Sequence, residues 1–488
     1  MPATAPVYKP WNLQQINASG GLTVGPAAAA NPFASIFDAQ QHIAYRDPKG
    51  MIFDSWLDGA TGKWNLQHIN AGGVTNGPVA AGGPFIWVVS QKQQHFTYRD
   101  IAGTIWDSWY DGHWNLQQIN RAGGVTSAPA AAGDPAASIF GSQQHIGYRD
   151  AEGKIWDSWY DGHWSLQQIN GVGGTGVTKG PAASGGPFIW TVGSQQHFTY
   201  RDEKETIWDS WYDGHWNLQQ INGAGGLTVG PPAKGDPFAA AFGSQQHVFY
   251  RDAAGTIWDS WYDGHGWSLQ HLNTPSGVTP QAPPAAGDPF ASIYSRQMHV
   301  AYRDALGAIW DSWYDFSLSR WNIQRINASG LTAGPAAAGG PFVWTVGTEQ
   351  QHFTYRDQKG TIWDSWYVAP TQSVTFVETG IGLYIESVNF TGPSGNPIPD
   401  AIAGQPFKMG ANIVNGGAVK AAASTLTVVI TASDNSSPQV LSAAVPLLPP
   451  RGGATAWVSV PALPAGLGYD FNFYDPGSTG IGHLFYQF

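Results

Sequence analysis

Seven times along the chain a histidine is followed twelve residues later by an aspartate: His42 and Asp54, His95 and Asp107, His145 and Asp157, His197 and Asp209, His247 and Asp259, His299 and Asp311, His352 and Asp364. A tyrosine and a tryptophan trail most of these aspartates, as Tyr110 and Trp114 trail Asp107, whereas the first copy has Leu57 beside Trp64. A carboxylate accepts hydrogen bonds from hydroxyls, an imidazole can donate, and an aromatic face can stack on an apolar C–H surface. That combination suits a polyhydroxylated ligand. It suits catalysis poorly, because catalysis needs one asymmetric constellation with pKa values pushed apart, and here every group comes in near-copies. No unique nucleophile stands out and no calcium-type loop of closely spaced carboxylates is present, so no catalytic residue, metal or cofactor is expected.

The elements that must hold these groups are repeats. The aspartates recur at spacings of 50 to 53 residues. Within each copy, turn signals separate four β-prone runs, which in the second copy are Phe85 to Val89, His95 to Asp100, Thr104 to Tyr110 and Trp114 to Asn120. Four antiparallel strands repeated at this period are the signature of a propeller blade. The first copy is preceded by an orphan fourth strand, Trp11 to Asn17, and the seventh stops after Tyr367 without one. Pairing the N-terminal strand into the last blade would close a ring and leave no open edge. The expectation is an all-β chain with a seven-bladed propeller over residues 1–370. Its first strands come in two versions, with Trp87, Trp190 and Trp344 marking copies two, four and seven.

Successive residues of a strand face opposite sides of the sheet. Ile105, Asp107 and Trp109 therefore share one side, and Trp106, Ser108 and Tyr110 the other. Each inter-blade crevice should be composite, with a polar His/Asp wall from one blade and an aromatic wall from its neighbour.

The run His95-Phe-Thr-Tyr98, Gly103, Ile105-Trp-Asp107, Tyr110-Asp111-Gly112 and Trp114 resembles the unit of the fungal and bacterial fucose-specific β-propeller lectins, across the whole repeat region. Two positions depart: His stands for that family's Arg, and Asp for its Glu. The resemblance implies a sugar held between blades by the polar pair of one blade and two aromatics of the preceding one. Carried over, the pockets use His145 and Asp157 with Tyr110 and Trp114; His197 and Asp209 with Tyr160 and Trp164; His247 and Asp259 with Tyr212 and Trp216. They continue with His299 and Asp311 beside Tyr262 and Trp267, then His352 and Asp364 beside Tyr314 and Trp321. Ring closure adds His42 and Asp54 with Tyr367 and Trp11. The remaining pocket, His95 and Asp107 with Trp64, lacks its tyrosine because Leu57 stands there. The function implied is a multivalent carbohydrate-binding lectin whose partners are glycans or glycoconjugates, fucosylated ones included.

A second reading stays open. A His and an Asp repeated in every blade also satisfy one another as a buried pair, leaving a structural or protein-interaction scaffold. The seven Arg-Asp steps, from Arg46-Asp47 to Arg356-Asp357, read as strand ends that satisfy the following hairpin. A glycosidase is a third reading, told apart by whether any glycoside is turned over; the Asp-x-x-Gly hairpin resembles the aspartate box of sialidase propellers but is one residue longer, and such boxes are structural and say nothing about hydrolysis. The Asn-x-Ser/Thr sequences at Asn17, Asn327, Asn389 and Asn435 read as chance.

Composition bounds the rest. Among 488 residues only 12% are charged, with Gly 62 and Trp 24, a balance that fits many tightly turned strands packing aromatic faces. The net charge of -11 and the lack of a Lys/Arg cluster argue against nucleic acid. Cysteine is absent, which removes disulfides and thiolate chemistry. No apolar run approaches a bilayer span and the first residues lack the pattern of an export signal, so the expectation is a soluble chain acting on extracellular glycans, its compartment open. Residues 371–488 leave the repeat, and runs including Ser373 to Glu378, Gly382 to Phe390 and Phe407 to Val414 read as a β-sandwich. The stretch from Gly404 to Gly417 resembles Ig-like adhesion modules, which implies an attachment or oligomerisation role. Trp457 is the one tryptophan outside the repeats.

Overall fold

The computed structural model describes residues 11–274, 277–279, 282–295, 297–315, 320–347, 350–368, 383–398, 404–415, 423–432, 438–446, 448, 453–464, 467–474 and 480–487. Two compact units divide at Tyr367 and Val368, slightly before the expected boundary at 370. The first unit holds seven four-stranded antiparallel sheets. Sheet 1 consists of Phe33–Phe37, Gln40–Arg46, Ile52–Asp58 and Lys63–His68, and sheets 2 to 6 follow the same order along the chain. Sheet 7 takes Phe342–Val346, Gln350–Arg356 and Ile362–Val368 from the end of the repeats and its fourth strand, Trp11–Gln15, from the beginning. Trp11 pairs with Tyr367 and Gln15 with Trp363. The first strands of consecutive sheets touch in cyclic order, the seventh returning to the first.

Three repeated devices brace the sheets and their connections, the last of them reaching the next sheet. The Asp-x-x-Gly hairpins are held by the aspartate: Asp100 Oδ1 accepts the N–H groups of Ala102 and Thr104, and Trp106 Nε1 donates to its Oδ2. The asparagine ending the fourth strand bonds three backbone groups in six of the seven sheets. Asn120 Oδ1 accepts the Ile105 N–H, and its Nδ2 donates to the carbonyls of Gly103 and Pro129. Beyond it, Thr126 donates to Ile119 and meets Ser158 of the next sheet at 2.9 Å. Asn17 and Asn327 are such asparagines, fully buried, which explains their recurrence without reference to glycosylation. Each internal bond of this kind contributes about 1 kcal/mol, so Asn120→Ala should cost about 2 to 4 kcal/mol. Chemical denaturation against the unaltered chain reads that loss, and a change below about 0.5 kcal/mol would mean the asparagine is dispensable.

Packing between sheets is carried by one tyrosine per copy: Tyr45, Tyr98, Tyr148, Tyr200, Tyr250, Tyr302 and Tyr355, all at 0% exposure. Glycine is needed opposite five of them, since a Cβ on Gly77 would lie 1.9 Å from the Tyr98 hydroxyl. Opposite Tyr148 and Tyr302 the glycine is replaced by Ala128 and Ala282, and those phenols donate to the carbonyls of Pro129 and Pro283 at 3.1 Å. Burial pushes all seven phenols well above the ordinary value, with neighbouring aspartates adding to the shift for each and bonds to serine or asparagine side chains pulling back.

The second unit contains two four-stranded sheets. One joins Pro397–Ile398, Leu383–Thr391, Phe407–Asn415 and Gly453–Val460; the other joins Gln439–Val445, Ser424–Ala432, Gly468–Tyr474 and Gly480–Gln487. Met409 and Ile413 of the first meet Val428, Ile430, Phe471 and Phe473 of the second in one apolar cluster. The run expected at Ser373 to Glu378 lies outside the described residues. Among the described residues no helix is long and apolar enough to cross a membrane.

Candidate functional site

Strand register sets Thr97 against Asp107 and His95 against Trp109, so His95 and Asp107 are diagonal neighbours on one face. The same register recurs in every sheet, and the imidazole Nδ1 meets the carboxylate at 2.8 to 3.1 Å in all seven. A fourth-strand glutamine also donates to each Oδ2, as Gln67 does to Asp54 at 2.9 Å and Gln219 to Asp209 at 3.1 Å. These pairs are not open to solvent. The histidines are 1–3% exposed and the aspartates 0–1%. The expected pairing therefore forms, but inside the sheet stack rather than on the wall of an open cleft.

The seven pairs fall into distinct kinds. In sheets 2, 4 and 7 a tryptophan of the first strand lies on the imidazole, with Trp87 and His95 centroids 4.3 Å apart. Its indole N–H donates to Thr97, which donates to Asp107 Oδ1 at 3.0 Å. Trp190 and Thr199 do the same for Asp209, and Trp344 and Thr354 for Asp364. Both oxygens of these carboxylates are satisfied. In sheets 1, 3 and 6 the register position of the tryptophan holds Ser35, Ser138 or Ser292, and that of the threonine holds Ala44, Gly147 or Ala301. Oδ1 of Asp54, Asp157 and Asp311 is buried there without a hydrogen-bond partner among the described residues. Sheet 5 is closed differently: Ala240 and Phe249 occupy the two positions, His247 Nδ1 contacts both oxygens of Asp259, and the Phe249 ring stacks on His247.

The opposite wall is aromatic, as parity requires, but it comes from the following sheet. Phe37 of sheet 1 meets Tyr110 of sheet 2 edge-on at 6.4 Å; Phe140 meets Tyr212 and Tyr294 meets Tyr367 in the same way. Trp164 clusters with Trp87, Trp267 with Trp190, and Trp64 with Trp344. The expected pockets drew their aromatics from the preceding sheet, and this is corrected. His42 and Asp54 face Tyr110 and Trp114; His95 and Asp107 face Tyr160 and Trp164; His145 and Asp157 face Tyr212 and Trp216. His197 and Asp209 face Tyr262 and Trp267, His247 and Asp259 face Tyr314 and Trp321, and His299 and Asp311 face Tyr367 and Trp11. The copy lacking a tyrosine belongs to His352 and Asp364, which face Leu57 and Trp64. Alternation fixes that two walls differ, whereas the direction in which the ring winds decides which neighbour each wall meets.

Across the Ser-type interfaces a buried glutamine reaches in. Gln94 Nε2 lies 3.5 Å from Ser35 Oγ and Gln351 Nε2 3.4 Å from Ser292 Oγ, while Gln196 Nε2 and Ser138 Oγ are buried without a hydrogen-bond partner among the described residues. These serines and glutamines went unnoticed in the sequence. Their signal was the co-variation of Ser with Ala or Gly in the copies that lack Trp and Thr. The seven arginines sit at strand ends as expected: Arg46 donates to the Asp47 carbonyl, and Arg99 reaches Asp134 at 3.3 Å. At the turn end of sheet 2, Val89, Ser90, Lys92, Gln93 and Asp111 line a cavity of about 410 Å³.

The fold of the repeat region is similar to that of solved structures. The BP39L lectin of Burkholderia pseudomallei superposes with a TM-score of 0.51 at 19% identity, over 70% of this chain and 97% of that one. The repeat region has a β-propeller fold. A lectin of Aleuria aurantia, a six-bladed β-propeller with its own mode of fucose recognition, aligns at 14% identity and TM-score 0.36 over 63% of this chain and 97% of that one. AofleA of Arthrobotrys oligospora aligns at 13% and 0.40 over 62% and 86%. No protein-family model and no curated protein matches the chain. In this propeller, unlike an open array, every sheet has a neighbour on each face.

Proposed function

We propose that the first unit is a seven-bladed β-propeller that binds carbohydrate multivalently, and that its ligands enter between blades 1 and 2, 3 and 4, and 6 and 7. The observation that carries this reading is the partnerless Oδ1 of Asp54, Asp157 and Asp311. A buried carboxylate oxygen without a donor is costly, and a sugar hydroxyl supplies the donor it lacks. Where blades 2, 4 and 7 carry an indole, blades 1 and 6 carry a serine within 3.5 Å of the buried Gln94 or Gln351 of the next blade, and an amide side chain can swing aside more readily than an indole. Ser35 and the freed amide then meet further hydroxyls, and Tyr110 and Trp114 offer faces for the sugar ring. Fucose heads the sugars to be tried, on the resemblance of the repeat alone.

In blades 2, 4, 5 and 7 the closed networks favour a structural role for the same His/Asp pair, so scaffold and binding site coexist in one ring. Hydrolysis has no observation in its favour: the interfaces repeat near-copies of the same groups, whereas glycoside hydrolysis uses two carboxylates with separate roles. The second unit reads as a β-sandwich serving attachment or assembly, tested by whether removal of 371–488 changes the particle mass in solution.

A glycan array with competition by free monosaccharide tests the binding reading, and silence against every glycan would overturn it. Against a glycan that does bind, titration should give three sites per chain. Ser35→Ala with Gln94→Met copies the Ala240 and Met298 pair found between blades 5 and 6, and should leave two sites in a folded ring. Three sites retained would remove the first interface from the proposal. Linking such sites on one rigid ring raises avidity by ~10² to 10⁴ toward a decorated surface.

A further inference from the structure

Trp457 lies in the strand Gly453–Val460 and is 44% exposed. Its register partner is Gly410, whose other neighbour is Asn389. A Cβ built on Gly410 would stand 2.8 Å from each of Cε2, Cε3 and Cη2 of the indole. Those three atoms alternate around the six-membered ring, so the glycine Cα–H points at the ring centre along its normal. The indole therefore lies flat on the sheet, and its second face is turned to solvent. Gly410 is what permits this, because any side chain there would prop the ring up.

The residues around it are polar and outward-facing. Met409, Ala411, Ala456 and Val458 point into the core, so alternation sends Lys408, Asn412, Thr455 and Ser459 to the outer face with Trp457. The Thr455 hydroxyl donates to Asn412 Oδ1, and Asn389 is exposed beside Gly410. Amides, hydroxyls and one ammonium surround a flat apolar plate, with no carboxylate among these neighbours.

We propose that this plate is a second carbohydrate site, independent of the propeller, which stacks one pyranose of a neutral polysaccharide on Trp457. The sugar's C–H face lies on the indole, and its ring hydroxyls meet Asn389, Asn412 and Thr455 at the rim. A protein partner fits the same patch poorly. One indole offers at most about 250 Å², against the roughly 1,200–2,000 Å² that a stable protein interface buries.

Electrophoresis of the full chain through gels containing laminarin, hydroxyethylcellulose or galactomannan tests the proposal. At least one polymer should retard the unaltered chain. Trp457→Leu, which still covers Gly410 but has no flat face, should weaken that retardation about tenfold, and Trp457→Tyr should keep part of it. Gly410→Ala leaves the tryptophan in place but lifts it, and should weaken binding as well. Ser35→Ala with Gln94→Met should leave the Trp457-dependent retardation unchanged, which separates this site from the propeller interfaces. Equal mobility of the unaltered chain and Trp457→Leu in every gel overturns the proposal, as does a change in particle mass on Trp457→Leu, which would mark a protein contact instead.

Discussion

Above about pH 10 the stability of the propeller should fall by roughly 10 kcal/mol per pH unit, because seven buried phenols must release protons that only the unfolded chain gives up readily. Each of Tyr45, Tyr98, Tyr148, Tyr200, Tyr250, Tyr302 and Tyr355 is raised above its unfolded value of 10.0, first by burial and then by nearby aspartates such as Asp47 and Asp202. A raised phenol binds its proton more tightly in the folded state. Its contribution is therefore complete below the unfolded value and is lost as the pH climbs from there toward the folded one. With a total stability of about 5–15 kcal/mol for a typical domain, the margin should be exhausted within one to two pH units. Phenolate absorbance and circular dichroism followed together against pH check this. Seven of the 19 tyrosines should ionise only as the far-ultraviolet signal collapses. Tyr98→Phe should make the decline shallower by about one seventh. Were all tyrosines to titrate smoothly with the fold intact, the phenols would not be sealed between the sheets.

Asp209→Ala should cost about 3–5 kcal/mol. It leaves His197 Nδ1, the Thr199 hydroxyl and the Gln219 amide without their shared acceptor, and through Thr199 it loosens the hold on Trp190. Asp54→Ala deprives only His42 and Gln67, and removes the partnerless Oδ1 at the same time. Its cost should be clearly smaller, about 1–3 kcal/mol. Denaturant midpoints of the two variants make the comparison, since both sit at equivalent positions of the same fold. Equal losses would mean that the Trp–Thr branch adds nothing and that the two kinds of sheet do not differ in how their carboxylates are satisfied.

The repeat unit was legible because each signal in it is local. Runs of aromatic and branched residues alternate with Asp-x-x-Gly and Asp-Gly-His turns, and the strands lie where those turns require: Phe85–Val89 as expected, Gln93–Arg99 and Ile105–Tyr110 within two residues. The orphan strand at the N-terminus pairs with Ile362–Val368 for the same reason, since an incomplete sheet and an unpaired strand each leave backbone groups unsatisfied. The second unit was less legible. Gln439–Val445, Gly468–Tyr474 and Gly480–Gln487 were not anticipated, although Tyr469, Phe471 and Phe473 alternate with Asp470 and Asn472 in the second of them.

The amino-acid order alone determined the period, the four strands per copy, the closure through Trp11–Gln15 and the meeting of each histidine with its aspartate, because all of these follow from turn chemistry and the two-residue alternation of a strand. Tertiary structure decided which neighbour each wall faces and which carboxylates are left partnerless. Facing depends on the winding direction of the closed ring, which no single strand encodes. Satisfaction depends on side chains that converge from two sheets, so Ser35, Ala44 and Gln94 acquire meaning only once sheet 1 lies against sheet 2.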